Sequence, residues 1–212
     1  MVLTRMGAGL AALALGLALI APQAARAEAS AAEQEAAKAF IETLSAKAFE
    51  ALRDPSLAGA AQRQRFRELL REGVALDFVG MFLLGRFRRD ATPAQLADYD
   101  HILPEYIVGF YTDQILRIGD EKLEILSTQP AGKSDIYVRS RLVGPSGRPP
   151  IAADWRVRRV ADGSFKIIDL KVEGVSIAAT KREEFASLIA SRGFDGLLAQ
   201  LHADAAQPAS AE

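Results

Sequence analysis

The feature that most constrains this fold is a change in hydrophobic period after Gly119, from about 3.6 residues to strict alternation. Four alternating runs follow, and short breaks rich in glycine, proline or aspartate separate them: 121–128, 134–143, 150–160 and 165–175. Breaks this short favour hairpins, which join antiparallel strands. The sequence therefore predicts a four-stranded antiparallel meander.

One face of this predicted sheet is apolar and the other is charged, since successive side chains of a strand point to opposite faces. The apolar face comprises Leu123, Ile125, Ile136, Val138, Ser140, Leu142, Ile151, Ala153, Trp155, Val157, Ile168, Leu170 and Val172. The charged face includes Asp169 among arginines, so we expect it to form an ion pair with Arg156 or Arg158. Helices must cover the apolar face.

Helical periodicity flanks the sheet on both sides. Before it, the sequence predicts a helix over 32–53, a second helix opening at Gly59 and a long helix over 93–118 that begins at Thr92-Pro93. Pro104 lies inside the long helix and should kink it or divide it. Helices at 179–191 and 194–202 are expected after the sheet, which makes the protein α+β.

An arginine stripe marks the second helix. Arg63, Arg67 and Arg71 recur at i, i+4 and i+8, with Glu68 and Glu72 beside them. Such a stripe is either a docking surface for an acidic partner or lipid headgroups, or a solvated helix face, and the pattern favours the solvated face.

The N-terminus has the three-part layout of a secretory signal peptide. Arg5 precedes an uncharged run from Gly7 to Ile20, and Ala25-Arg26-Ala27 forms a cleavage pattern. The run is shorter than the roughly 20 residues that span a bilayer, so a retained anchor is the weaker interpretation. We expect 1–27 to be a signal peptide, 28–202 a single domain, and 203–212 a disordered tail.

Composition excludes several kinds of chemistry. The chain has no cysteine, only two histidines, and a formal net charge of −1. Disulfides, thiolate metal sites and cysteine nucleophiles are therefore excluded, and there is no strong basic field for nucleic acid. No metal site is predicted, and the sequence contains none of the common hydrolase or nucleotide-binding motifs.

Four segments carry a family resemblance: LDFVGMFLLGRFRRDATPAQLADY at 76–99, GPSGRPP at 144–150, IIDLKVEGVSIAATKREEFASLI at 167–189 and GFDGLLAQL at 193–201. They are similar to the MlaC family of periplasmic phospholipid-binding proteins, also known as toluene-tolerance proteins or ABC-transporter auxiliary components. Together they span more than half of the chain that follows the predicted signal peptide, in the family's order.

The resemblance implies a periplasmic phospholipid carrier and not an enzyme, with phospholipid as cargo and no cofactor. It implies exchange between an outer-membrane lipoprotein–porin complex and an inner-membrane ABC transporter of the MCE type, in maintenance of outer-membrane lipid asymmetry. No nucleic-acid partner is implied, and we expect a monomer.

A lipid carrier needs an apolar cavity, which we expect between the sheet and the helices. Its predicted lining comprises Phe78, Phe82, Tyr106, Phe110, Ile136, Val138, Ser140, Leu142, Ala153, Trp155, Val157, Ile168, Leu170, Val172, Phe185 and Ile189. Lys181, Arg182 and Arg86 are expected at the mouth, near the headgroup. The backbone N–H groups at the start of the helix at 179–191 are expected to face outward there as well.

Three alternatives remain open at this point. One is a cargo of hopanoid or another apolar lipid in place of phospholipid. Another is an apolar face that binds a protein partner, in which case an open, shallow groove would replace a deep cavity. A cone-shaped enzyme of the NTF2-like type would need an acidic residue or histidine facing the pocket, and the predicted lining contains none.

Overall fold

The computed structural model describes residues 29–57, 59–116, 121–132, 134–144 and 149–206. The predicted signal peptide lies outside these ranges, and so do residues 207–212 of the predicted tail. The elements in chain order are α1 (Ala31–Arg53), α2 (Ala60–Gly73), α3 (Leu76–Leu84), the 3-10 helix η1 (Gly85–Arg89), α4 (Pro93–Leu116), β1 (Lys122–Ala131), β2 (Asp135–Val143), β3 (Ile151–Arg159), β4 (Phe165–Val172), β5 (Val175–Ser176) and α5 (Ile177–Ala206).

The sheet is an antiparallel meander, which confirms the predicted topology, but it has a fifth strand. The two-residue β5 pairs with the end of β4 through a turn at Glu173 and Gly174, both at positive φ. Glu173 also holds the start of β3, since its N–H donates to the Ala152 carbonyl and its carboxylate accepts from the Ala152 N–H. The fifth strand was missed because it is only two residues long.

Two bulges interrupt the alternation that the sequence predicts. In β1 the register shifts between Ile125 and Ser127, and Leu126 is left 58% exposed. In β4 the register shifts so that Val157 pairs with Ile167, and Ile168 becomes the extra residue. Ile167 and Ile168 are both buried, whereas a regular strand would bury only one of two neighbours.

The two ends of the apolar face of the sheet differ in what covers them. At one end, Ala37 and Ile41 of α1 pack directly on a buried cluster that comprises Ile136, Val138, Val157 and Ile167. At the other end, residues such as Leu142, Leu170 and Val172 are only partly buried. The sheet is therefore packed closely against α1 at one end and is more open at the other.

The helical layer packs mainly on itself. Tyr99 of α4 is 1% exposed, and its hydroxyl donates to the Gly80 carbonyl of α3 at 3.0 Å. Phe185, Phe194 and Leu197 of α5 complete this core. At Gly193, φ of 73° and ψ of 176° interrupt the helical backbone, so α5 consists of two helical segments as predicted.

The start of α4, its continuity and the end of α5 agree only in part with the prediction. Thr92 caps α4 as predicted, since the Thr92 hydroxyl accepts from the Gln95 N–H and the Gln95 side chain accepts from the Thr92 N–H. Pro104 does not divide α4, which runs from Pro93 to Leu116. The second segment of α5 continues to Ala206, so 203–206 are helical and the predicted tail begins too early.

Two arginines of the α2 stripe form ion pairs with another helix. Arg67 and Arg71 donate to the two carboxylate oxygens of Glu105 in α4, at 3.0 and 2.6 Å. These two ion pairs, here called the Glu105 clasp, join α2 to α4, which are not consecutive in the sequence. None of the helices in the described part of the chain is long and apolar enough to cross a membrane.

Candidate functional site

A cavity of about 670 Å³ lies between the open end of the sheet and the helices. Its sheet wall is formed by Leu123, Leu142, Ile151, Ala153, Trp155, Ile167, Ile168, Leu170, Val172 and Val175. Its helical walls come from all five helices, including Leu44 and Phe49 of α1, Phe66 and Leu70 of α2, and Phe110 of α4. Nearly all of this lining is hydrocarbon, so the cavity suits an apolar ligand of considerable size.

Half of the predicted lining residues do face this cavity. They are Tyr106, Phe110, Leu142, Ala153, Trp155, Ile168, Leu170 and Val172. These residues lie at the open end of the sheet or on the second half of α4. The cavity is therefore where the sequence places it, between sheet and helices, but it occupies only one end of the apolar face.

The other half of the predicted lining residues are packed elsewhere. Ile136, Val138 and Val157 lie beneath α1. Phe82, Phe185 and Ile189 belong to the core of the helical layer. These positions were misassigned because a period shows which residues point inward, but not whether a helix or a cavity lies opposite them.

Ser140 and Phe78, also predicted to line the cavity, have other partners. The Ser140 hydroxyl donates to the Ala153 carbonyl at 2.6 Å and accepts from the Trp155 indole N–H at 3.0 Å. Phe78 lies under the Arg158 guanidinium, whose carbon is 4.2 Å from the ring centroid. Both side chains therefore stabilise the fold and do not face the cavity.

Two exposed apolar side chains mark the mouth. Ile151 at the start of β3 is 45% exposed, and Val175 in β5 is 60% exposed, yet both line the cavity. A residue that is both lining and exposed must stand where the cavity opens to solvent. The mouth thus lies at the end of the sheet opposite the buried contact with Ala37 and Ile41.

Of the three predicted cations at the mouth, only Lys181 reaches the cavity. The Arg182 guanidinium lies over the Phe82 ring at 5.0 Å. The Arg86 guanidinium lies over its neighbour Phe87, also at 5.0 Å. Arg182 and Arg86 therefore each contact an aromatic ring, and neither lines the cavity.

Lys181 has three neighbours inside the cavity wall. Its Nζ lies 2.6 Å from a Glu184 carboxylate oxygen and 4.6 Å from the Phe110 ring centroid, and it also interacts with the Tyr106 hydroxyl. Partial burial favours the neutral amine, but the hydrogen bonds to Glu184 and Tyr106 outweigh it and raise the pKa of Lys181. The ammonium therefore stays charged at neutral pH.

The phenols in the wall stay protonated. Burial raises the pKa of Tyr106, although Lys181 nearby works in the opposite direction. Burial also raises the pKa of Tyr111. Both rings thus contribute an apolar surface and a neutral hydroxyl to the cavity.

Asp169 also lines the cavity, which the sequence did not predict. Its carboxylate accepts from the Ser176 hydroxyl at 2.7 Å and from the Ala178 N–H at 3.1 Å, so it caps the start of α5. The predicted ion pair with Arg156 or Arg158 is wrong, because both arginines bind Asp135. Two N–H groups at the start of α5 therefore already have partners, that of Ala178 on Asp169 and that of Ala179 on the Ser176 hydroxyl.

The two helices α1 and α2 supply cavity residues that sequence reasoning missed. Leu44, Ala48 and Leu52 recur on one face of α1, and Phe66, Leu69 and Leu70 lie on one face of α2. Their helical periodicity was visible, but it is equally typical of ordinary core packing. No group of three residues suited to holding a metal ion occurs in the described ranges.

Fold and cavity together define an α+β binding protein, with one large apolar cavity walled by a meander sheet and a helical layer. Residues 42–203 match the protein family described as MlaC protein. Since this match covers most of the chain, the protein belongs to the MlaC family.

Two relatives agree with this assignment. The chain is 23% identical over 177 residues to the intermembrane phospholipid transport system binding protein MlaC of Haemophilus influenzae, with 82% of this chain and 81% of that protein covered. It also resembles the structure of a phospholipid-binding protein from Ralstonia solanacearum in complex with a phospholipid. The two structures match with a TM-score of 0.68 and 24% sequence identity, over 82% of this chain and 99% of the other. This match confirms the α+β fold.

Proposed function

We propose that this protein is a phospholipid carrier, with acyl chains held in the cavity and the headgroup at the mouth. The observation that carries the proposal is the apolar cavity of about 670 Å³ in a member of the MlaC family. Relatives described as phospholipid-binding support the same cargo class.

Hydrophobic transfer explains why such a cavity serves transport. Exposing a methylene to water costs about 0.8 kcal/mol, so two chains with about 30 methylenes would cost upwards of 20 kcal/mol. A carrier without an apolar cavity could not offset this cost. The cavity wall is built almost entirely from aliphatic and aromatic side chains, which supply the required environment.

Cavity volume bears on how the cargo is held. A volume of about 670 Å³ lies in the range of cavities that hold sizeable ligands. The acyl chains would enter it through the mouth between Ile151 and Val175. The headgroup then remains outside, next to Lys181.

The remaining parts of the proposal rest on the family and on the N-terminal sequence. Cleavage of 1–27 would deliver the protein to the periplasm. There it would exchange lipid with an outer-membrane lipoprotein–porin complex and an inner-membrane MCE-type ABC transporter, and so maintain lipid asymmetry. It would do so as a monomer, without a cofactor, and without hydrolysing its cargo.

Two alternatives are weakened by the geometry. A cavity enclosed by sheet and helices is unlike the shallow groove that a protein-interaction module would present. Asp169 and Glu184 line the cavity, as an enzyme would require, but Asp169 already accepts from Ser176 and Ala178, and Glu184 is paired with Lys181. A carboxylate held in this way favours a structural role over proton transfer.

Mass spectrometry of lipid extracted from purified protein tests the proposal. We expect about one phospholipid per protein and no release of fatty acid above a control without protein. A hopanoid or other terpenoid in the extract would change the cargo class. Ester hydrolysis that a single carboxylate substitution abolishes would overturn the carrier function.

A further inference from the structure

Polar groups in the cavity wall differ in how firmly their partners hold them. Asp169 is bound by Ser176 and the backbone of α5, and the Ser45 hydroxyl donates to the Ile41 carbonyl of its own helix. Lys181 differs from both, because its partner is the end of the Glu184 side chain. That side chain is 51% exposed, whereas the Lys181 side chain is only 19% exposed.

Glu184 is not the only contact of the Lys181 ammonium. Its Nζ also lies on the face of the Phe110 ring, 4.6 Å from the centroid, and beside the Tyr106 hydroxyl. An ammonium has three N–H donors, and a carboxylate oxygen takes one of them. If Glu184 turned into solvent, the cation would remain in place at the cavity wall.

Phosphodiester and carboxylate oxygens bind an ammonium in the same way, through short charge-assisted hydrogen bonds. A phosphate and the Glu184 carboxylate on one ammonium would bring two negative charges together. An anionic group that binds Lys181 therefore favours release of Glu184 from it. The exposed Glu184 side chain can move into water, where its charge is well solvated.

On this geometry we infer that the phosphate of a bound phospholipid replaces the Glu184 carboxylate on Lys181, so that Glu184 competes with the cargo for its cation. The inference rests on the proposed function and adds a headgroup contact to it. Glu184 neutralises Lys181 in the empty cavity, and it weakens retention of the lipid so that the lipid can leave.

The test measures release of labelled lipid from purified protein to excess acceptor vesicles. Wild type, Glu184→Gln, Lys181→Gln and the double variant are loaded from vesicles of phosphatidylglycerol and phosphatidylcholine. Glu183→Gln is the matched control, since Glu183 is an exposed neighbour of the same charge. Thermal unfolding of each protein shows that it is folded before release is compared.

We expect Glu184→Gln to slow release by about two- to fivefold, the range of a partly exposed ion pair. Lys181→Gln should speed release, and Glu184→Gln should then have no further effect in the double variant. Equal release from Glu184→Gln and wild type would overturn the inference, as would an effect that persists without Lys181.

Two further ligands separate the phosphate from the chains. Release of diacylglycerol, which has acyl chains but no phosphate, should be the same for wild type and Glu184→Gln. Inorganic phosphate in large excess should compete for Lys181 and reduce the difference on phospholipid. A difference on diacylglycerol as large as that on phospholipid would overturn the inference. Failure of the wild type to take up any lipid would instead overturn the proposed function itself.

Discussion

The Trp155 indole N–H donates to the Ser140 hydroxyl at 3.0 Å, across the pair of strands β2 and β3. The Ser140 hydroxyl in turn donates to the Ala153 carbonyl, so both donors have an acceptor. Trp155 can therefore present its ring to the cavity without a free N–H in an apolar wall.

Ser140→Ala should destabilise the protein by about 1–2 kcal/mol, because the buried Trp155 N–H loses its acceptor. Urea denaturation measures the change in the free energy of unfolding. In a Trp155→Phe background the same substitution should cost less, since no indole N–H is left unpaired. An equal cost in both backgrounds would show that the bond contributes nothing.

Ala153→Trp should abolish lipid binding and leave the lipid-free protein folded. Ala153 faces the cavity, so the larger ring fills space that the acyl chains would use. Ser140→Phe is the contrasting variant, since Ser140 is 1% exposed within the sheet and a larger side chain there costs about 1–3 kcal/mol. Lipid per protein and the melting temperature are measured for both variants. Unchanged lipid content in Ala153→Trp would place the cargo elsewhere.

Acid should loosen the Glu105 clasp between α2 and α4. Partial burial of the Glu105 carboxyl works toward a higher pKa, but its hydrogen bonds to Arg71 and Arg67 prevail and lower the pKa below its ordinary value of 4.5. A carboxyl with a lowered pKa binds its proton more weakly when folded, so stability is present above about pH 4.5 and is lost as pH falls through the folded pKa.

Glu105→Gln should therefore remove part of the acid sensitivity of unfolding. The Glu105 ion pairs contribute less than about 1 kcal/mol to the free energy of unfolding at neutral pH, since the Glu105 side chain is 42% exposed and salt screens its charge. Urea denaturation from pH 6 to pH 3 measures it. In an Arg67→Gln/Arg71→Gln background, Glu105→Gln should leave the pH profile unchanged; a change there would assign the effect to another group.

Pro104→Ala should stabilise the protein, because α4 is continuous through this position. Proline has no N–H to donate to the Asp100 carbonyl, and a proline inside a helix costs up to about 3 kcal/mol. The measurement is the melting temperature of the lipid-free protein. Gly109→Ala is a matched control in the same helix, with no atom within 4 Å of the added Cβ and an expected gain of about 1 kcal/mol. A lower melting temperature for Pro104→Ala would show that α4 needs the proline.

The meander could be predicted because its alternation and its short breaks are local signals. Paired residues such as Leu142 and Ile151, or Ser140 and Ala153, lie opposite each other as that topology requires. The β4 bulge could not be predicted, because Ile167 and Ile168 are both apolar and either fits the inward position. Only the partner strand decides between them.

The cavity could be predicted in outline but not in its limits. Val138 and Leu142 have the same pattern in sequence, yet α1 covers the first and the cavity borders the second. This difference depends on where α1 lies, which no local period encodes. The ion pairs of the sheet likewise depend on strand pairing, since Arg156 and Arg158 of β3 bind Asp135 of β2 and not the expected Asp169.

Division of the apolar face also has an evolutionary consequence. Strands β2 and β3 each contribute to both ends, so a single strand carries positions under two kinds of selection. Changes at Leu142, Ala153 or Ile151 alter the space for cargo, while changes at Val138 or Val157 alter the contact with α1. Relatives that carry different lipids should therefore diverge first at the mouth end of each strand and retain the residues beneath α1.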